Sequence, residues 1–367
     1  MRTDAKLLGR RLLAWFEAEG RRLPWRTGKA RDPYRVWLSE IMLQQTTVAA
    51  VAPYYARFLA RWPTVAALAR ADLDEVLHAW QGLGYYARAR NLHRAAREVA
   101  DRLGGRFPRD EAGLARLPGV GHYTAAAVAA IAFDEPTVPV DGNVARVIAR
   151  LYGLRVRLPE GRAALAERAR ALLTPRRPGD FAEALMDLGA TVCTPRNPRC
   201  GACPWRPACR AFASGAPEAF PRSKKKSARP IRHAVVFWGE DSRGRVLVRR
   251  RPERGLLGGM MEFPTTPWRA RVWPVVEALG HAPIRGVWRR VEDGSFTHVF
   301  SHFALKGHVV RALIHPRVAA AEIAGLRWWP VADLDRLALP SVMKKVAAAI
   351  GRTRPANRMG RSISSGR

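Results

Sequence analysis

Leu117-Pro-Gly-Val-Gly-His-Tyr-Thr124 decides the fold of the first part of this chain, together with Val140-Asp-Gly-Asn-Val144 further along. The two glycines precede the Ala-rich run 125–132, which predicts a helix, and residues 144–151 predict another. A helix N-terminus with a Gly-lined approach offers free N–H groups to an anion such as phosphate. An ordinary interhelical turn would use the same glycines, and Asp141 suits a helix N-cap. The segments therefore predict two helix starts, the first suited to phosphate and the second beginning with an acid.

The sequence around this stretch is helical as far as about residue 190. Runs rich in Ala, Leu and Arg, for example 112–117 and 163–173, have the helical period and are broken by Gly and Pro. We therefore predict an all-α domain over residues 1–213. Residues 214–230 contain prolines and the run Lys224-Lys225-Lys226 with little apolar content, which predicts a linker.

The second part of the chain has a different pattern. Short strand-like runs are separated by Gly and Asp turns, namely Ala234–Trp238, Arg245–Val248 and Thr297–Phe300. One helix is predicted near Val272–Leu279. Residues 231–350 therefore predict an α+β domain, and residues 351–367, which are basic with little to bury, predict a disordered tail.

Length and charge narrow the class of protein. The chain has 367 residues, more than one hydrophobic core usually holds, which predicts two or three domains. Lys and Arg number 63 against 31 Asp and Glu, a net charge of +32, and an apolar fraction of 48% excludes a disordered basic protein. The charge favours a polyanionic partner, either nucleic acid or an anionic membrane surface. Without an apolar run of membrane-spanning length or a signal-peptide pattern, we expect a cytosolic protein.

The cysteines form one compact motif. Cys193, Cys200, Cys203 and Cys209 follow the pattern C-x6-C-x2-C-x5-C, with prolines between them that keep the segment in turns. A disulfide pair is disfavoured in a reducing compartment. Four thiolates suit either zinc or an iron–sulfur cluster, although structural zinc sites usually pair their ligands in two short knuckles and only one such pair occurs here.

These motifs together resemble the helix-hairpin-helix superfamily of base-excision DNA glycosylases, and within it the MutY-type adenine DNA glycosylases. The segments that carry the resemblance are Leu23–Arg26, Ser39–Thr46, Trp80–Tyr86, Leu117–Thr124, Val140–Val144, the cysteine motif and Phe300–His302. The resemblance implies a 4Fe-4S cluster on the four cysteines. It also implies a monomer that removes adenine mispaired with 8-oxoguanine or guanine from double-stranded DNA, in a bacterium at the nucleoid, with no membrane partner.

Hydrolysis of an N-glycosidic bond needs a proton donor for the base and stabilisation of a cationic sugar. Glu40 is the candidate acid, because it is flanked by apolar residues in a helix that Asp32-Pro33 should start as N-cap and N1. Such surroundings raise a carboxyl pKa, whereas a glutamate on the helix surface would stay ionised. The resemblance assigns Glu40 as the catalytic acid and Asp141 as the stabiliser of the sugar, either by its charge or through a covalent intermediate. It assigns Asn143 as the residue that orients Asp141.

Tyr123 separates two kinds of glycosylase. Relatives that resemble endonuclease III have Lys at this position as a Schiff-base nucleophile, and Tyr cannot form that imine. The resemblance therefore implies a monofunctional enzyme that leaves an abasic site, with Tyr123 on the sugar side of the active site. Two rival hypotheses are an endonuclease III-like glycosylase-lyase and a non-catalytic DNA-binding module in which the iron–sulfur loop is architectural.

The resemblance also implies residues that contact DNA and the flipped base. Those implied for the DNA or the lesion are Gln45, Thr46, Leu83, Tyr85, Gly119 and Gly121. Those implied for the adenine pocket are Trp25, Arg26 and Glu183. An aromatic side chain and a leucine in a Gly-bounded loop suit intercalation, and a turn packed in the core is the alternative for Leu83 and Tyr85.

The second domain resembles the Nudix fold of 8-oxo-dGTP hydrolases at Gly255–Pro264. A working Nudix site needs several glutamates that hold Mg²⁺. Between Pro264 and Gly280 the only acid is Glu277, so the box is absent. We therefore expect a Nudix-like domain that recognises 8-oxoguanine without hydrolysing nucleotides, with Ser301 and His302 as contacts, unless these two residues only form turn hydrogen bonds.

Overall fold

The computed structural model describes residues 4–26, 31–157, 160–174, 176–222, 228–315 and 325–353, which form two compact units. One contains the described residues of Met1–Val76 and Arg88–Lys226, and the other those of Leu77–Ala87 and Ser227–Arg367. The first is helical and the second contains a mixed sheet with helices, which confirms the predicted fold class. The lysine run of the linker and the tail beyond residue 353 lie outside the described residues.

The helices up to residue 222 have the following bounds: α1 (Ala5–Glu19), α2 (Pro33–Leu43), α3 (Val48–Arg61), α4 (Val65–Arg70), α5 (Leu73–Ala79), α6 (Ala87–Arg97), α7 (Glu111–Leu114), α8 (His122–Phe133), α9 (Gly142–Tyr152), α10 (Arg162–Arg170), α11 (Pro178–Asp187) and α12 (Arg210–Ala213). Single π-helical turns extend α6 over Glu98–Arg102 and α11 over Leu188–Val192. No helix in the described part of the chain is long and apolar enough to cross a membrane.

Capping residues determine where the helices of the first unit begin. As predicted, α2 starts with Pro33 in its first turn, and the Asp32 side chain accepts a hydrogen bond from the Tyr34 amide. α9 begins at Gly142 with Asp141 as its N-cap, and α8 begins at His122, immediately after Gly121. Both helices start earlier than their apolar runs predicted, because helical geometry begins at the cap whatever the polarity of the first turn.

Helix α8 lies at the centre of the first unit. Its residues from Thr124 to Ile131 are all buried, so the helix has no solvent-facing side among them. Small Ala side chains let α2 and α11 pack closely against it. This packing brings together the helices that carry Glu40, Tyr123 and Glu183.

Part of the predicted linker is folded onto the first unit. Residues 217–219 form a short 3-10 turn, and Phe220 is buried. Arg150 Nε donates to the Phe220 carbonyl at 3.1 Å, and the amide of Asn197 donates to Glu218 Oε1 at 2.7 Å. The chain therefore stays packed against this unit well beyond residue 213, because one aromatic side chain and its carbonyl find buried partners there.

The second unit is built on a mixed sheet with the strands β1 (Ile231–Asp241), β2 (Arg245–Arg250), β3 (Met261–Glu262), β4 (Arg289–Val299), β5 (Ala304–Ile314) and β6 (Leu326–Pro330). The strand order is β3-β2-β1-β5-β4, and β6 pairs with β2. Strands β1 and β5 run parallel, from the pair Ile231 and Ala304 to the pair Asp241 and Ile314. The remaining pairs are antiparallel.

The structure alters three sequence expectations for the second unit. The predicted strand Thr297–Phe300 is the end of the longer strand β4, which stops at Val299. The helix expected near Val272–Leu279 is the short α13 (Val275–Leu279). Helix α14 (Ser341–Thr353) was not predicted, and it packs against β4 with Val342, Met343, Val346 and Ile350 in the core.

Candidate active site

A large cavity lies in the first unit where α2, α8, α11 and the segment before α2 meet. Its volume is about 1110 Å³, and its lining includes Trp25, Arg26, Glu40 and Glu183. The candidate acid and the three residues implied for adenine are therefore brought to one cavity from distant parts of the chain. Volume and lining suit a base removed from the DNA stack.

Glu40 lies on α2 and is only 6% exposed. Burial raises the pKa of its carboxyl from 4.5 to about 7, and the negative charges of Glu183 and Asp141 act in the same direction. The nearby Tyr123 hydroxyl and the Arg26 guanidinium oppose the shift by stabilising the carboxylate. A carboxyl with this pKa holds a proton in a substantial fraction of molecules near neutral pH, as a general acid requires.

Asp141 is held rigidly at the start of α9. Its Oδ1 accepts from the Val144 amide at 2.7 Å, so it is the helix N-cap, and its Oδ2 accepts from Asn143 Nδ2 at 3.0 Å. Arg146 Nη2 donates to Asn143 Oδ1 at 2.9 Å, which orients the amide with its NH₂ group towards Asp141. Arg146 Nε donates to the Cys193 carbonyl at 2.8 Å. Sequence reasoning missed Arg146, although its position three residues after Asn143 in a helix was a usable signal.

Tyr123 lies in the first turn of α8, beside Glu40. Burial raises the pKa of its phenol well above 10.0, and the charges of Glu40 and Asp141 add to this shift. The hydroxyl also points to Met186 Sδ at 3.9 Å. Tyr123 is therefore a neutral phenol near neutral pH, able to donate one hydrogen bond.

Arg26 is anchored by two carboxylates. It makes a bidentate contact with Asp187 through Nη1 at 2.7 Å and Nη2 at 3.0 Å, and its Nε lies 2.8 Å from Glu183 Oε1. The other oxygen of Glu183 pairs with Arg31 Nη2 at 2.7 Å. Burial raises the pKa of Glu183 and the two arginines oppose the shift. Both carboxylate oxygens of Glu183, a predicted adenine contact, are thus paired with arginine. The orientation of the Glu183 side chain is therefore fixed before a base enters the cavity.

Asp187 is a functional residue that sequence reasoning missed. It is fully buried, and Arg21 donates to it through its amide at 2.8 Å and its Nε at 2.8 Å. Burial alone would raise the pKa of Asp187, but hydrogen bonds from Arg26 and Arg21 outweigh it and hold the pKa below 3.8. Asp187 is therefore a permanent anion that fixes Arg26. Its only sequence signal was an acid among apolar residues near the end of α11.

The glycines before α8 leave an open helix terminus. Gly119 has a φ of 77°, and an added Cβ would lie 2.5 Å from Asn91 Cβ, so only glycine fits. Gly121 is the N-cap and has no side chain to satisfy the first-turn amides, and nothing lies within 4 Å of the position of its missing Cβ. These free N–H donors are what an anionic phosphate needs.

Two predicted DNA contacts have strained backbones. Gln45 has a φ of 58° and Tyr85 a φ of 49°, values that residues other than glycine rarely adopt. Thr46 follows directly, and its hydroxyl donates to the Gln44 carbonyl at 3.3 Å. Tyr85 is 38% exposed, whereas Leu83 is only 5% exposed. Leu83 is thus packed as a core turn would be, and Tyr85 is the side chain presented to solvent.

The predicted lesion contacts lie together within the second unit. Ser301 and His302 are exposed in the turn between β4 and β5, which the Phe300 amide closes onto the Phe303 carbonyl at 2.8 Å. The Tyr85 hydroxyl is hydrogen-bonded to Ser301 Oγ. The turn leaves His302 exposed and gives Ser301 a partner from the Tyr85 segment.

The four cysteines line one pocket, as a shared cofactor requires. The buried Arg150 organises their loop by donating to Cys193 Sγ at 3.4 Å, the Thr194 carbonyl at 2.6 Å and the Pro195 carbonyl at 3.0 Å. Burial raises the pKa of Cys203 to about 12, and a bound cation would favour loss of the thiol proton. Among the described residues, no three His, Cys, Asp or Glu side chains form a group suited to a single metal ion.

Comparisons with known proteins agree with this architecture. Residues 38–171 match the HhH-GPD superfamily of base excision DNA repair proteins, and residues 235–349 match the NUDIX domain. The adenine DNA glycosylase of Rattus norvegicus is 36% identical, with 94% of this chain and 78% of that protein covered. The adenine DNA glycosylase of Homo sapiens is 35% identical, with 95% and 75% covered. A solved thermostable thymine-DNA glycosylase is 33% identical with a TM-score of 0.53, and covers 57% of this chain and 97% of its own.

The helical unit and its buried acid define a DNA glycosylase of the helix-hairpin-helix superfamily. Such enzymes act on DNA in base-excision repair. The appended NUDIX domain and the extent of the similarity then place the chain more closely. It belongs to the MutY-type adenine DNA glycosylase family.

Proposed function

We propose that this enzyme removes adenine mispaired with 8-oxoguanine or guanine by monofunctional hydrolysis, and leaves an abasic site. The observation that carries the proposal is the buried Glu40, whose pKa is raised to about 7 beside Asp141 and within a cavity large enough for a base. The name of the relatives supports adenine as the base. The solved thymine-DNA glycosylase has a similar fold, so the fold alone does not determine which base is removed.

In the proposed reaction, Glu40 donates its proton to a ring nitrogen of the flipped adenine. The bond between that base and C1′ of the sugar then breaks, and its electron pair leaves with the base. The resulting oxocarbenium-like sugar is stabilised by the negative charge of Asp141, which Asn143 and the α9 amide hold in place. Water adds to C1′ and its proton returns to the enzyme.

Tyr123 supports the monofunctional assignment. A Schiff base with C1′ needs an amine, and the position offers a neutral phenol. Its hydroxyl can donate a hydrogen bond to the Glu40 carboxylate once the acid has lost its proton. The endonuclease III-like alternative would need a different amine near the sugar.

Recognition of the base is proposed to depend on the Arg26 and Glu183 pair. Each Glu183 oxygen carries one ion pair and keeps a second lone pair that can accept from the exocyclic amine of adenine. Trp25 supplies an aromatic wall and packs edge-on against Tyr55 with ring centroids 5.5 Å apart. Because Asp187 fixes Arg26, the pocket is preorganised.

Recognition of the opposite base is proposed to depend on Tyr85, Ser301 and His302. The exposed Tyr85 side chain on its strained loop suits insertion into the DNA stack beside the lesion. Its hydrogen bond to Ser301 places the inserted ring next to a residue proposed to contact the oxidised base. Gln45 and Thr46 are proposed to support the distorted DNA. The Gly119 and Gly121 turn is proposed to bind a backbone phosphate.

We also propose that Cys193, Cys200, Cys203 and Cys209 hold a 4Fe-4S cluster and that the enzyme acts on duplex DNA as a monomer. Support for the cluster comes from the shared pocket and the all-thiol donor set with one short pair. When bound, the cluster would supply a rigid cross-link for the loop. The reaction itself uses the side chains described above.

The test is single-turnover base release from duplexes that contain A:8-oxoguanine, A:G or thymine glycol:A. Wild type should release adenine from the first two, and Glu40→Gln should release it about 10²- to 10⁴-fold more slowly. Failure of wild type to release adenine would overturn the assignment. Strand scission without added alkali would favour the glycosylase-lyase, and equal activity of Glu40→Gln would remove Glu40 from the mechanism.

A further inference from the structure

The second unit contains a cavity that the proposed function does not use. Its volume is about 500 Å³, and its lining includes three arginines, from β1, β2 and the residue after β2: Arg232, Arg249 and Arg251. The cavity lies beside Glu262 of β3, within the segment that resembles the Nudix fold. A Nudix enzyme would gather acids around Mg²⁺ and a diphosphate, whereas this cavity gathers guanidinium groups.

A buried carboxylate, Glu262, orients two of the arginines that line the cavity. Glu262 is 1% exposed, its Oε1 pairs with Arg249 Nε at 2.8 Å, and its Oε2 pairs with Arg251 Nη1. Arg249 Nη2 also reaches the Thr265 carbonyl at 3.5 Å. The guanidinium group of Arg251 donates from Nε to the Leu256 carbonyl at 3.1 Å and lies over the Trp268 ring at 5.2 Å. Both arginines are therefore fixed in direction before any ligand arrives.

Each fixed arginine keeps donors for a ligand. A guanidinium group has five N–H donors, and these contacts use only some of them on Arg249 and Arg251. Arg232 adds a third guanidinium group, which lies over the Phe303 ring at 4.7 Å and pairs with no carboxylate among the described residues. Three cations face one carboxylate, which leaves an excess of positive charge.

We propose that this cavity is a second ligand site that binds a phosphate group directly, without a divalent metal. A phosphate dianion offers oxygens in the geometry that guanidinium forks match, and its charge balances the excess in the cavity. Each oxygen of Glu262 is paired with an arginine, so the groups of the cavity that keep unused donors are guanidinium groups, which bind phosphate without a metal. The phosphate comes either from a free nucleotide or from a DNA strand.

The first test is calorimetric titration of the full-length protein with inorganic phosphate in the presence of EDTA. A Kd on the order of 1 mM is expected for so small an anion. Arg232→Gln should weaken binding by about tenfold, because it removes a charge-assisted contact. Arg243→Gln, which changes an exposed arginine outside the cavity, should leave the Kd unchanged. Arg232 has no ion pair to lose, so the fold of its variant is expected to stay intact.

A second variant tests the geometry of the site. Arg249→Lys keeps a cation next to Glu262 but loses the fork, and several-fold weaker phosphate binding is expected. Equal phosphate affinity for wild type, Arg232→Gln and Arg249→Lys would overturn the proposal. So would the lack of saturable binding at concentrations about tenfold above the expected Kd, or binding that requires Mg²⁺.

Two further binding experiments, with dGMP and with duplex DNA, identify the source of the phosphate. If the site takes a free nucleotide, dGMP binds more tightly than phosphate and Arg232→Gln leaves duplex affinity unchanged. If it takes DNA, Arg232→Gln lowers the slope of log affinity against log salt by about 0.9, the value for one phosphate contact, and Arg243→Gln does not. These measurements record binding alone, so they stand or fall separately from adenine removal.

Discussion

Glu40→Gln is expected to slow base release by about 10²- to 10⁴-fold and, at the same time, to stabilise the fold above neutral pH. Burial first, and then the charges of Glu183 and Asp141, raise the pKa of Glu40 from 4.5 to about 7. The folded protein therefore binds this proton more tightly than the unfolded chain does. The stabilisation that follows is fully present below pH 4.5 and is lost as the pH rises through about 7.

The size of the effect follows from the shift. Each pKa unit corresponds to about 1.4 kcal/mol, so ionising Glu40 in the folded protein costs about 3 kcal/mol. Gln has nearly the same shape and never ionises, so the variant avoids this cost. We expect the free energy of unfolding of Glu40→Gln, relative to wild type, to rise by about 2 to 3 kcal/mol between about pH 5 and about pH 8.

The assay is urea unfolding followed by circular dichroism at both pH values, together with single-turnover base release. Base release by wild type should fall above pH 7 as the acid loses its proton, and Glu40→Gln should be slower by about 10²- to 10⁴-fold. Glu19→Gln is the matched control, because Glu19 is exposed at the end of α1. A stability difference that does not change with pH would refute the burial argument, and a variant with wild-type base release would refute the role of Glu40.

Four other outcomes are expected. Asp141→Asn should keep the N-cap of α9 and the fold but lose base release, whereas Asp141→Ala should also lose about 1 kcal/mol of stability, as urea unfolding would show. Asp187→Asn should destabilise the protein by about 3 to 5 kcal/mol, because it leaves Arg26 and Arg21 without their buried anion; an unchanged unfolding midpoint would contradict this. Cys200→Ser should remove an absorbance band near 400 nm if the cofactor is an iron–sulfur cluster, and the absence of that band in wild type would favour zinc. Ser301→Ala should slow base release from A:8-oxoguanine more than from A:G, and equal slowing of both would remove Ser301 from lesion reading.

Much of the fold could be predicted from short-range signals. Asp32-Pro33 and Asp141 start helices through bonds to amides two or three residues away, so the residues involved are neighbours in the chain. The cysteine motif is likewise confined to one loop. Helix α14 was not predicted, because its apolar face is buried by packing against β4, which is distant in sequence.

The apolar neighbours of Glu40 suggested a raised pKa and the family resemblance assigned it as the acid, but the charged groups around it could not be predicted. The pKa of Glu40 depends on Glu183 and Asp141, which reach it only when α2 and α11 pack against α8 and α9 packs against α11. Asp187 lies in no motif of the sequence, and only the fold brings Arg21 and Arg26 around it. No local pattern marks these partners, because electrostatic coupling depends on distance in space.

The sequence motifs, through their resemblance to known families, were enough to place this protein among DNA glycosylases with a Nudix-like second unit. Helix caps, hydrophobic periodicity and clustered cysteines each involve residues close together in the chain, so they can be recognised directly in the sequence. Tertiary packing alone decided that Leu83 is buried while Tyr85 is exposed, and that Glu262 aligns Arg249 with Arg251 beside Arg232. Burial and ion pairing between distant residues are properties of the folded chain, since both require the exclusion of water that only packing provides.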